Sequence, residues 1–164
     1  MRKRFMVGPA LAALAAAGCS ANNSTSNNST TASCTATVAG KAFSSGAYTT
    51  LNSSVLRIVC YNGSTRNGIT LAIRVPPATG TYTLGGPAPY GQYSTFDFGS
   101  GTGGGITYAT TTGQGTLTIT AYNASTQVAS GTFSFTGVLV SLVTGAPASI
   151  AVVQGSFSNA GPLP

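Results

Sequence analysis

The chain is 164 residues long, room for one domain, with seven basic residues, one acidic residue and no histidine. A single carboxylate, Asp97, and no imidazole cannot make a Ser-His-Asp triad, a paired-carboxylate glycosidase site or a zinc site of Cys, His and carboxylate ligands. Neither a nucleophile elbow nor a Ser-x-x-Lys motif is present, and one carboxylate makes a weak calcium site, so the chain is expected to be non-catalytic and to use no metal or cofactor.

The amino-terminal segment reads as an export signal. Arg2, Lys3 and Arg4 form a positive end, and Phe5 to Ala17 forms an apolar run. That run falls short of the about 20 residues that a membrane-spanning helix needs. It closes on small residues, Ala16, Ala17 and Gly18, directly before Cys19. Leu14-Ala-Ala-Ala-Gly-Cys19 resembles the bacterial lipobox. The resemblance implies that residues 1–18 are removed and that Cys19 carries acyl chains. The sequence departs from that pattern at Ala16, where leucine is usual. An ordinary signal cut near Ala17, leaving Cys19 a free thiol, is the other reading. Ser20 rather than aspartate follows the cysteine, which by resemblance to proteobacterial lipoproteins implies sorting to the outer membrane. Each buried methylene contributes about 0.8 kcal/mol, so several acyl chains would anchor the protein stably to the membrane.

Removal of the signal takes three of the seven cations with it. Lys41, Arg57, Arg66 and Arg74 then stand against Asp97. Four scattered cations do not form the clustered basic face that nucleic acid requires. Residues 19–33 follow as the lipidated cysteine and a Ser/Asn/Thr tether without one large apolar side chain. Such a coil spans roughly 20 Å on average. Asn22, Asn23, Asn27 and Asn28 lie in or beside Asn-x-Ser/Thr sequons, as do Asn52, Asn62 and Asn123. They read as polar tether and turn residues.

Residues 34–159 form the domain, with 160–164 as a tail. Alternation, the mark of half-buried strands, starts at Cys34. Residues 55–61 place Leu56, Ile58 and Cys60 on one face. Residues 69–75 place Ile69, Leu71, Ile73 and Val75 inward. Asn62-Gly63 and Asn67-Gly68 between them are turn signals, so the pair reads as a hairpin. Further strands are predicted at 80–84, 92–98, 106–111, 116–122, 128–136 and 150–157. Many short strands with Gly/Asn turns predict an all-β fold, an antiparallel meander forming a β-sandwich or an up-and-down barrel.

Cys34 and Cys60 sit on apolar strand faces and are expected to pair in an oxidising compartment. Two buried free thiols are the alternative. If Cys60 lay opposite Leu71, Arg57 and Arg74 would face each other, an arrangement an anionic ligand could relieve. Solvated arginines in another register are the plainer reading. Tyr82, Tyr90, Tyr93 and Tyr108 fall in the middle third, where tyrosines can stack on sugars or anchor a protein, or simply suit strands. Gly99, Gly101 and Gly104 fit G-x-G-x-x-G, but β-branched residues follow, so a flexible hairpin loop is expected rather than a phosphate cradle.

Val38-Ala-Gly-Lys-Ala-Phe43, Gly80-x-Tyr82, Gly131-Thr-Phe-Ser-Phe135 and Gly155-Ser-Phe157 recur in an order that resembles a family of small β-rich lipoproteins, common in Bacteroidota and classed as a domain of unknown function. The resemblance covers roughly residues 34 to 159 and implies an envelope location and a β fold. It carries over no catalytic residue. The expected function is a non-catalytic, envelope-anchored lipoprotein that binds a protein or glycan at the cell surface, or serves as envelope structure. The alternative is a small barrel carrying an apolar ligand inside.

Overall fold

The computed structural model describes residues 31–75, 77–95, 105–140 and 145–163. The signal, Cys19, the tether up to residue 30, Asp97 and Gly99, Gly101 and Gly104 lie outside the described residues. Ten strands occupy the described chain: β1 (Ser33–Val38), β2 (Lys41–Asn52), β3 (Val55–Asn62), β4 (Asn67–Arg74), β5 (Gly80–Leu84), β6 (Tyr90–Thr95), β7 (Ile106–Ala109), β8 (Gly115–Asn123), β9 (Val128–Leu139) and β10 (Ser149–Pro162). Pairing runs β2–β3–β4–β6–β7–β9–β10–β1 and returns to β2, so the sheet closes on itself. Strands β7 and β8 lie end to end along one edge of β9. Strands β5 and β6 lie end to end beyond them. With each interrupted pair taken as one stave, the meander is an eight-staved up-and-down barrel. Pairing is antiparallel except where β10 runs past the start of β1 and meets β2 directly, at Gly161–Tyr48 and Pro162–Thr49.

An eight-stranded barrel has an interior just wide enough for side chains to fill. Leu56, Ile58, Ile69, Leu71, Leu117, Ile119 and Val152 point inward and are fully buried. Phe43 joins them, and three further phenylalanines pack together, with Phe133 6.3 Å from Phe157 and 6.4 Å from Phe135 between ring centroids. Glycines make room for them. In the β9–β10 ladder Gly155 stands opposite Phe133 and Gly131 opposite Phe157. Gly115 stands opposite Phe135 across β8–β9. Phe135 also leans over Gly91, where a Cβ would lie 2.9 Å from its Cδ1. The glycine-aromatic motifs are therefore a packing device in which rings cover bare backbone on the neighbouring strand.

β10 shows why its inward set is hard to read as alternation. Val152, Gly155, Phe157 and Ala160 all face the core, at spacings of three, two and three. The register shifts between Val152 and Gly155 and again between Phe157 and Ala160. Gln154 (φ 52°) and Asn159 (φ 51°) take left-handed backbone at those shifts. Each bulge inserts one residue and turns the next core residue inward. Residues 160–162, expected in the tail, are strand, and Ala160 is fully buried.

β2 is the strand the sequence pattern did not predict. Its inward positions are Phe43, Ser45, Ala47 and Thr49, while Tyr48 points outward. Small side chains are needed inside because the Cys34–Cys60 disulfide joins β1 to β3 across it. Strands on either side of a common neighbour lie roughly 9.5 Å apart in a flat sheet. Here the two Cα atoms are 5.8 Å apart. The wall must therefore fold sharply along β2, with Ser45, Gly46 and Ala47 at the crease.

Two hairpins share one turn design. Residues 55–66 and 116–127 match at Leu56/Leu117, Ile58/Ile119, Tyr61/Tyr122, Asn62/Asn123, Ser64/Ser125 and Thr65/Thr126. Asn62 Oδ1 accepts the N–H groups of Ser64 and Thr65. Asn123 Oδ1 accepts those of Ser125 and Thr126. Arg66 (φ 55°) and Gln127 (φ 56°) then close the turns in left-handed backbone. Asn62 and Asn123 thus serve as Asx turns. Asn67 and Gly68, read above as a second turn signal, already belong to β4. The two turns are three staves apart in the meander and so lie at opposite ends of the barrel.

Candidate functional site

Register fixes what the outer wall presents. Across β2, β3, β4 and β6 one outward row reads Gly46, Tyr61, Gly68, Ser94. The next reads Tyr48, Val59, Thr70, Gln92, and the third Thr50, Arg57, Ala72, Tyr90. In these three rows β4 contributes small outward residues, Gly68, Thr70 and Ala72, between larger ones, and its exposed Arg74 lies one row further on. The result is a groove of about 310 Å³ lined by Tyr48, Val59, Tyr61, Gly68, Thr70, Gln92 and Ser94. That volume is at the small end of the roughly 300–1,000 Å³ usual for ligand sites.

Its two sides differ in chemistry. Tyr48 and the 40% exposed Tyr61 form an aromatic side. The opposite side is polar: Gln92 Nε2 donates to Ser94 Oγ at 3.0 Å, and Ser94 Oγ lies 3.3 Å from Thr107 Oγ1. The rest of the Gln92 carboxamide, one N–H and the carbonyl oxygen, has no protein partner among the described residues. At the end of the groove the Arg57 Nε–H points to Tyr90 Oη at 3.4 Å, so these side chains close over Ala72, which is fully buried.

The residues singled out in the sequence separate in space. Cys34 and Cys60 form a buried disulfide. Cys60 pairs with Ile69, not Leu71, so Arg57 faces Ala72 and Arg74 faces Val55. The two arginines stand diagonally on one face. Tyr93 and Tyr108 pair inside the barrel, 6.4 Å apart and almost fully buried. Burial first, and Tyr108 second, push the Tyr93 hydroxyl above its ordinary pKa. Tyr82 packs against the core and donates its hydroxyl to the Ala78 carbonyl at 2.6 Å. Of those four tyrosines only Tyr90 reaches the groove face. Tyr48 and Tyr61, which form its aromatic side, were not singled out. The available signal was the parity of Tyr61 with Arg57 on β3. Tyr48 gave none while β2 went unrecognised.

Among the described residues no group of three or more His, Cys, Asp or Glu side chains could hold a metal ion. The groove presents tyrosine rings, amide and hydroxyl groups to a ligand, with the Arg57 guanidinium one row beyond its lining. The described residues that line the groove include no His, Cys, Lys, Asp or Glu. No curated protein and no solved structure matches this chain. A family model described as a domain of unknown function, DUF6252, matches residues 30–161, and the chain belongs to that family.

Proposed function

We propose that the protein is a lipid-anchored, non-catalytic binding protein of the bacterial cell envelope, held in the outer membrane through Cys19, whose barrel binds a glycan in the groove on its outer wall. The observation that carries the binding reading is the groove itself, flat tyrosine faces on one side and hydrogen-bonding groups on the other. Sugar rings combine an apolar face with equatorial hydroxyls, and that pairing suits them. A carrier of an apolar ligand needs space inside the barrel. The inward positions instead hold large, buried aliphatic side chains and packed phenylalanine rings, which favours the outer wall.

The anchor rests on the lipobox resemblance around Cys19, and the Cys34–Cys60 bridge fits an oxidising compartment. Protein purified from its native membrane is expected to have an intact mass that starts at Cys19, adds acyl chains and lacks two hydrogens for the disulfide. A mass without lipid would remove the anchor. For the groove, Tyr48→Ala and Tyr61→Ala should each weaken binding to any glycan identified on an array at least tenfold, about 1.4 kcal/mol. Both rings lie outside the core, so the thermal midpoint should hold. Unchanged affinity in both variants would place the ligand elsewhere.

A further inference from the structure

Arg57 is a partly buried guanidinium with one hydrogen bond, a long one through Nε to Tyr90. Its terminal nitrogens have no acceptor among the described residues. Partial burial weakens hydration of a cation, and an unpaired one gains most from an anion that arrives with a ligand. Arg57 lies two positions before Val59 on the groove floor, roughly 7 Å along the strand. Arg74, exposed and diagonal to it, adds a second positive charge at the same end. The single acidic side chain of the sequence, Asp97, lies outside the described residues. Among those that are described, nothing negative competes for this position.

We propose that the ligand of the groove is an acidic glycan, with sugar rings along Tyr48 and Tyr61 and a uronate carboxylate on Arg57. This rests on the groove being the glycan site. The planar guanidinium can meet a carboxylate with two parallel hydrogen bonds from its terminal nitrogens, while Nε stays on Tyr90 and holds the plane in place. Arg74 acts at longer range, through its field, and should matter most at low salt.

The test uses the full chain in detergent and oligosaccharides of galacturonic, glucuronic and mannuronic acid, each paired with its neutral methyl ester. In at least one series the acid should bind at least tenfold more tightly than its ester. Arg57→Gln should abolish that preference, and Arg57→Lys should keep part of it. Raised salt should narrow the gap. Sulfated, carboxyl-free oligosaccharides binding better than the uronates would overturn the carboxylate assignment. Acid and ester binding equally, with Arg57→Gln unchanged, would overturn the acidic-glycan inference and leave the groove as a site for neutral sugars. No binding in any series would remove both. Arg57 lies on the outer wall, and a thermal melt of each variant confirms that the barrel is intact.

Discussion

Gly155→Ala should destabilise the barrel by about 3 kcal/mol, the upper end of the usual range for overpacking. A Cβ at this position would meet three carbons of the Phe133 ring at under 3.0 Å. That ring cannot swing aside, because Phe135 and Phe157 flank it. The backbone of β10 would have to withdraw from β9, loosening the ladder that holds these two long strands together. Urea unfolding should report the loss as a lower midpoint with little change in slope. The partner variant isolates the cause. Phe133→Leu removes the obstructing ring, so the double variant should lose less than the two single losses combined, with a coupling of about 1 kcal/mol or more. Strict additivity would mean that Gly155 is needed for its backbone rather than for the ring.

Loss of the disulfide is the second large effect. Cys34 and Cys60 are 26 residues apart, and in the chain-entropy model a closed loop of that length contributes about 3 kcal/mol. Its position adds a local reason. The bridge holds β1 against the crease in β2, where the closed wall depends on a short strand of six residues. Cys34→Ala with Cys60→Ala should therefore lower stability by about 3 kcal/mol and raise amide exchange in β1 before exchange in β8 and β9. In the unmodified protein both cysteines are buried, at 1% and 0% exposure, so a reductant should act no faster than the barrel opens. Loss of less than 1 kcal/mol in the double variant would show that β1 holds its place through its ladders alone.

The sequence made some parts of this architecture plain and concealed others, for physical reasons. β3 and β4 alternate large aliphatic and outward residues without a bulge, so their inward faces could be read directly. β2 could not, because the disulfide crossing its inner face requires Ser45 and Ala47 there and its large tyrosine lies outside. β10 carries two bulges that break strict alternation, so its strand identity was visible and its length was not. Closure into a barrel rather than a sandwich depends on β1 and β10 meeting, a pairing more than a hundred residues apart in sequence. The groove was the least legible feature. It depends on four strands bringing Tyr48, Tyr61 and Gln92 around the small residues of β4, and a register two residues different would have assembled another face. Arg57 and Tyr90 were visible as individual candidates. Their juxtaposition over Ala72 required the β3–β4–β6 register.

The most direct measurement of where this protein binds is a residue-by-residue amide NMR titration with the uronate oligosaccharide that binds best. Shifts confined to Tyr48, Arg57, Tyr61, Gly68, Thr70, Tyr90 and Gln92 are the predicted result, since these residues make up the groove and its arginine end. Shifts concentrated instead at inward positions such as Leu71, Leu117 and Phe135 would contradict an outer-wall site and point to a ligand held inside the barrel.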